Sequence, residues 1–224
     1  MHISLNNVGK RFNREWIFRH CSYEFAVGKT YAITGSNGSG KSTLLQVISG
    51  SLTHNEGTIK CIDAGYMILD KKADQSSTQQ PISSIQHPLT DDEIYQRLSI
   101  AAPYLELVEE MSAKEMLEFH AGFKQLVLPI TEILQIVGLE KATHKQIRYY
   151  SSGMKQRLKL AQAFFSNTPV LLLDEPTTNL DADGTALYHQ LIKNYTSGKL
   201  VIVSSNDKQE YEFCEAVIKI SDYK

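Results

Sequence analysis

The chain has 224 residues, with 23 Lys and Arg against 25 Asp and Glu, for a formal net charge of −2. A balance this even gives no electrostatic case for bulk nucleic-acid binding. The length suits one large domain, or a core with a subdomain. Cys21, Cys61 and Cys214 are scattered, odd in number and without ligand spacing, the pattern of reduced thiols in a cytosolic protein. The seven His form no metal-ligand pattern, and Met1–Asn7 has no apolar leader core. No run approaches the ~20 apolar residues that cross a bilayer. The expectation is a soluble chain that reaches a membrane only through a partner.

Ile3 and Leu5, then Tyr23, Phe25 and Val27, alternate apolar with polar. That predicts antiparallel strands, with a turn at Gly28-Lys29. Phe12 follows Lys10-Arg11; an aromatic there could stack on a purine, although alone it reads as a strand-end hydrophobe. Thr30–Thr34 is short, β-branched and apolar, a buried strand. It runs into Gly35-Ser36-Asn37-Gly38-Ser39-Gly40-Lys41-Ser42-Thr43, which fits the phosphate-loop pattern G-x-x-x-x-G-K-[ST]. Leu44–Ile48 reads as the helix that follows.

The chemistry explains these residue types. Gly35, Gly38 and Gly40 let the backbone curl and approach a ligand closely. Its N–H groups and the helix start then cradle anionic phosphates. Lys41 brings a point charge to the β- and γ-phosphates, and the Ser42 hydroxyl suits Mg²⁺. The four fixed positions recur by chance in roughly one percent of chains this long. Strand, loop and helix in sequence make chance less frequent still, so a nucleotide site is expected.

Gly50–Gly57 is turn-rich. Thr58–Ile62 and Gly65–Leu69 read as strands, and the polar stretch 70–89 as a surface loop. Arg97–Ala102 is a further strand. From Pro103 the period becomes helical through Met116, Phe119, Phe123, Ile133 and Val137. Ser112 and Glu115 form a capping box, and Gly122 and Gly138 mark helix ends. Residues 104–150 therefore read as a mostly helical insert. Tyr150–Arg157 opens another helix whose Ser and Gly residues offer free N–H groups to an anion. Val170–Leu173 is a continuous apolar run, a buried parallel strand, and it ends in Asp174-Glu175-Pro176. A polar turn, a helix near 183–196, a strand at Leu200–Ser204 and a helix-and-strand tail complete the chain.

Asp174 suits a divalent metal and Glu175 suits orienting or deprotonating a water. Alone, two acids at a strand end read as solvated about as readily as catalytic; beside a phosphate loop they read as catalytic.

Over nearly its whole length the sequence resembles the ATP-binding subunits of ABC transporters. Gly35–Thr43 matches their Walker A motif, and Leu171–Pro176 matches Walker B with its glutamate. Asn179-Leu180-Asp181 matches the D-loop, and Ser151–Arg157 the signature motif usually written LSGGQ. The Ser-Ser-Gly-Met variant resembles the small exporter ATPases of the ABC-2 type. The resemblance implies one α/β phosphate-loop ATPase domain over residues 1–224, with a parallel sheet, an antiparallel β subdomain and a helical subdomain at 104–150. It implies ATP and Mg²⁺ as cofactors and a head-to-tail homodimer. In that dimer Ser151, Ser152, Gly153 and Asp181 of one copy would complete the site of the other. Phe12 would stack on adenine. A polytopic permease would hold the chain at the cytoplasmic face of the membrane.

Two positions depart from the family. Its Gln-loop has no Gln here, where Ala101–Glu106 stands, with Gln96 upstream. The histidine after the last core strand is Asn206, an amide that hydrogen-bonds but carries no proton or charge. A slow ATPase is the expectation. Rival readings are a soluble ABC ATPase acting as an assembly or scaffold factor, and a small-molecule kinase, which would leave Ser151–Arg157 unexplained.

Overall fold

A computed structural model describes residues 1–62 and 91–224. The strand expected at 65–69 and the polar loop at 70–89 lie outside the described residues.

Two sheets are present among those residues. In the first, β1 (His2–Phe12) lies between β2 (Glu15–Phe25) and β4 (Glu56–Ile62), antiparallel to both. Ile3, Leu5, Phe18, Cys21, Phe25 and Cys61 turn inward from it; of the alternating residues Ile3, Leu5 and Phe25 are buried and Tyr23 partly so, while Val27 lies beyond the end of β2 and is exposed. Asn7, in the left-handed region at φ 54°, interrupts the register of β1 as a bulge.

The second sheet is parallel throughout: β5 (Leu98–Ala101), β6 (Val170–Asp174), β7 (Leu200–Ser204), β3 (Thr30–Thr34) and β8 (Ala216–Lys219), in that order. All five residues of β6 and all five of β7 are buried, because both faces are covered. Leu171, Leu173, Val201 and Val203 pack toward α3 (Ala113–Ala121), α4 (Ile130–Ile136), α5 (Ser152–Phe165) and α6 (Ala182–Tyr195). Val170, Leu172, Leu200 and Ile202 pack on the other side with α1 (Lys41–Ile48) and the antiparallel sheet. Period-two geometry divides one apolar run between two cores. Truncating Leu172 to Ala would cost about 2–5 kcal/mol.

Helix boundaries follow local chemistry. Ser112 caps α3, accepting from the Glu115 amide while the Glu115 carboxylate accepts from the Ser112 amide at 2.7 Å. Ser151 caps α5 by accepting from the Met154 amide at 3.2 Å, and Asp181 caps α6 by accepting from the Gly184 amide at 2.8 Å. A helix that the periodicity did not indicate, α2 (Asp91–Arg97), precedes β5, so the strand begins one residue later than expected. The tail is α7 (Lys208–Tyr211), β8 and a closing turn.

Candidate nucleotide site

In a parallel sheet all carboxyl ends lie along one edge, where open α/β sheets bind ligands. Register aligns the ends: Ile33 pairs with Ser204, and Ser204 with Asp174. Three consecutive strands of the sheet, β3, β7 and β6, therefore deliver Gly35, Ser205 and Glu175 to one edge.

The phosphate loop leaves β3 and enters α1 at Gly40, whose φ is 103°. A Cβ there would stand 2.5 Å from Ile17 Cγ2 of β2, so only glycine satisfies both the backbone and the packing. The first turn of α1 carries no acidic residue, leaving its N–H groups free of competing charge. Lys41 is 4% exposed and its Nζ donates to the Gly35 and Ser36 carbonyls at 3.0 and 3.2 Å. Those carbonyls hold the ammonium over the loop. Ser42 and Thr43 are half-buried in the same turn. Ser36, Asn37 and Gly38 form the exposed crest, closed by the Ser39 amide donating to Ser36 at 3.1 Å.

Asp174 is 2% exposed, and among the described residues its buried Oδ1 has no hydrogen-bond partner. An unpartnered buried carboxylate oxygen costs free energy, and a hard cation ligated there would offset that cost. The Asp174 oxygen thus suits a hard cation such as Mg²⁺, and Ser42 offers a hydroxyl in the first turn of α1. The Ser39 and Ser204 hydroxyls are likewise buried without partners among the described residues. Glu175 adopts a left-handed backbone, φ 43°, rare for a side chain of this kind. Its amide donates to the Ser204 carbonyl at 2.9 Å, and its carbonyl accepts from Thr178 at 3.1 Å. Asn206 is exposed and its amide nitrogen donates to Asn37 Oδ1 at 2.9 Å.

Tyr104 follows β5, where the expected Gln is missing. The residue as a whole is 40% exposed, but its hydroxyl interacts with the Gln46 side chain, and desolvation of that hydroxyl, then the Asp174 charge, pushes its pKa up to about 12. Gln46 lies one helical turn beyond Ser42, on the same face of α1. Sequence reasoning identified the missing Gln and passed over the aromatic.

Phe12 ends β1, 48% exposed, with the Lys10 ammonium 5.0 Å from its ring centroid. It pairs with Glu15 at the tip of the hairpin, two residues before the Ile17 that touches Gly40. The Phe12 ring is thus exposed at the hairpin tip of the strand pair that carries Ile17. Ser151, Ser152, Gly153 and Asp181 line a different recess, a groove of about 310 Å³ shared with Gly138, Met154, Arg157 and Asn179. Gly153 packs close to the Asn179 carbonyl, and Arg157 reaches Asp181 at 3.3 Å. The phosphate loop is not among the residues lining this groove.

A family model described as ABC transporter matches residues 18–178. An uncharacterised ABC transporter ATP-binding protein of Bacillus subtilis, YybJ, is 28% identical over 98% of this chain and 92% of its own length. HrtA of Staphylococcus aureus, an ATP-binding protein named for hemin import, is 27% identical over 98% and 95%. The ATP-binding cassette MJ0796, solved as a dimer in a post-hydrolysis state with ADP and Pi, superposes with a TM-score of 0.74. It is 25% identical, over 97% of this chain and 93% of that one. The matched span holds the phosphate loop, the Asp174-Glu175 strand end and the Ser151–Arg157 helix start together, and the chain belongs to the ABC transporter family.

Proposed function

We propose that the chain is the ATP-hydrolysing subunit of a membrane ABC exporter. The observation that carries this reading is the single edge on which Lys41, Asp174, Glu175 and Asn206 meet. In the proposed site Lys41 neutralises the β- and γ-phosphates, and the amides of Ser36–Ser42 bind their oxygens. Ser42 and Asp174 hold Mg²⁺, which when bound would offset charge on those oxygens. Glu175 orients or deprotonates the attacking water, and Asn206 donates a neutral hydrogen bond toward the γ-phosphate. Adenine stacks on Phe12.

A second copy, docked head to tail, supplies Ser151, Ser152, Gly153 and Asp181 to close the site. An open groove built from those residues, apart from the phosphate loop of the same chain, supports that arrangement. The helical segment 104–150 then faces a polytopic permease, which holds the chain at the cytoplasmic face. Asn206 and the Gln-free stretch 101–106 favour slow turnover by the isolated subunit.

The Ser-Ser-Gly-Met signature favours export; HrtA is named for import, so direction needs its own measurement. Affinity purification from solubilised membranes should recover a polytopic partner, and the complex should hydrolyse Mg·ATP. Inverted vesicles carrying it should accumulate substrate in their lumen on addition of ATP. Recovery of the chain without any membrane protein would refute the transporter role, and efflux from the vesicles would refute export.

A further inference from the structure

Glu210 lies in α7, within a polar stretch after β7, and is 3% exposed. Its Oε1 accepts from the Thr177 amide at 2.7 Å and from the Thr177 hydroxyl. Its own backbone is fixed as well: the carbonyl accepts from the Tyr188 hydroxyl at 2.6 Å, and the amide donates to Asp207 at 3.1 Å. A buried carboxylate with every visible bond directed at one turn is an anchor for that turn.

The turn it anchors contains Glu175. That residue holds φ 43°, a conformation that costs free energy for a non-glycine residue and persists only where its surroundings over-determine it. On one side the Glu175 amide is tied to Ser204. On the other, Pro176 is held through its carbonyl by Gln156 of α5, 3% exposed, at 2.8 Å, and Thr177 is held by Glu210. Glu210 is the point where the segment carrying Asn206 grips the segment carrying Glu175.

We propose that Glu210 is a positioning residue for ATP hydrolysis: by clamping Thr177 it holds the left-handed backbone of Glu175 and keeps Glu175 and Asn206 in fixed relation. It touches neither phosphate nor water and acts through Thr177. The inference rests on the ATPase reading above and names a residue on which that reading does not depend.

The test compares Glu210→Ala with Glu210→Gln in the complex with its membrane partner, measuring kcat, the KM for ATP, and hydrogen exchange at the Glu175 amide. The Gln carbonyl can still accept from both Thr177 donors, so that variant should stay within about threefold of wild type. The Ala variant should lose at least tenfold in kcat with KM changed less than twofold, and the Glu175 amide should exchange faster. Thr177→Val, which keeps the amide and loses the hydroxyl, should fall between them. Combined with Glu210→Ala it should add little further loss. An unchanged kcat in the Ala variant, equal losses in Ala and Gln, or a proportional rise in KM would overturn the proposal. If wild type neither binds nor hydrolyses ATP, the ATPase reading falls, while the exchange measurement still decides whether Glu210 clamps Glu175.

Discussion

The side-chain amide of Asn206 donates to the side-chain oxygen of Asn37 at 2.9 Å, across 169 residues of chain. The contact joins the segment after β7 to the crest of the phosphate loop. An imidazole at this position would bring a titratable group to the same place; the amide brings a fixed dipole. A neutral hydrogen bond contributes about 0.5–1.5 kcal/mol net, a factor of roughly two to ten if it is made in the transition state. Asn206→Ala should therefore lower kcat about two- to tenfold with little change in ATP affinity, and Asn206→His should raise it several-fold. Steady-state ATPase assays on the dimer check both, and two variants that match wild type would move Asn206 away from the γ-phosphate.

Glu175→Gln keeps the volume and removes the carboxylate proposed to orient or deprotonate the attacking water. Loss of water activation should slow hydrolysis by ~10²–10⁴-fold and leave nucleotide binding in place. ATP should then hold the dimer closed, which size-exclusion chromatography with and without ATP detects. A variant that hydrolyses at the wild-type rate would reassign the base.

Ser152 begins α5 at the groove lined by Gly153, Asn179 and Asp181. The proposed dimer brings a partner's γ-phosphate there. Ser152→Arg should abolish activity and leave the monomer's melting temperature nearly unchanged, because the side chain is exposed. Lys41→Ala removes the ammonium proposed to face the phosphates and should be inactive alone. In a mixed head-to-tail dimer both lesions fall in one composite site and the other site is intact, so mixing the two variants should restore part of the activity. No recovery on mixing would count against this geometry, or require that both sites fire together.

Much of this was legible because the relevant signals are local. The continuous run Val170–Leu173 predicts a strand buried on both faces, and the two cores divide it accordingly. The Ser112–Glu115 spacing marks a helix start through bonds made within four residues. Sheet order has no such local mark: β3 lies between β7 and β8 through pairings that close loops of well over a hundred residues. Glu210 was hidden for a related reason. In Asn206-Asp207-Lys208-Gln209-Glu210 it reads as one more solvated charge, and only Thr177 and Tyr188 from distant elements show that it is buried. Tyr104 was hidden because a missing Gln does not name the side chain that reaches Gln46 from the same stretch.

His120 offers a test of the helical segment by pH. Its Nε2 lies 2.8 Å from the Ser166 hydroxyl, whose own proton goes to the Gln162 carbonyl. Burial first, then the neighbouring Lys124 charge, lowers its pKa from 6.5 to about 4. The unfolded chain takes up a proton below pH 6.5, and the folded chain only near pH 4. Between those values the unfolded state binds more protons, so the stability present above pH 6.5 is lost as pH falls toward 4. The loss should be on the order of 1–3 kcal/mol. His120→Gln keeps a donor for Ser166 and should flatten that part of the pH–stability curve relative to wild type. Parallel melting curves from pH 7 to 4 would contradict it.

Asp174 separates binding from stability. Among the described residues its buried Oδ1 has no partner, so in the absence of metal that oxygen carries an uncompensated desolvation cost. Asn has nearly the same shape without the charge. Asp174→Asn should therefore raise the melting temperature of the metal-free protein by ~2–4 °C, the change expected from about 1 kcal/mol in a domain of this size. The same variant should lose the further stabilisation that Mg·ATP gives to wild type, since a ligand stabilises by RT ln(1 + [L]/Kd) and the weakened site raises Kd. ATP with EDTA serves as the control, where the two proteins should respond alike to nucleotide. A variant that melts lower than wild type without metal, and still gains as much from Mg·ATP, would show that Asp174 is held by contacts within the protein and that the cation is ligated elsewhere.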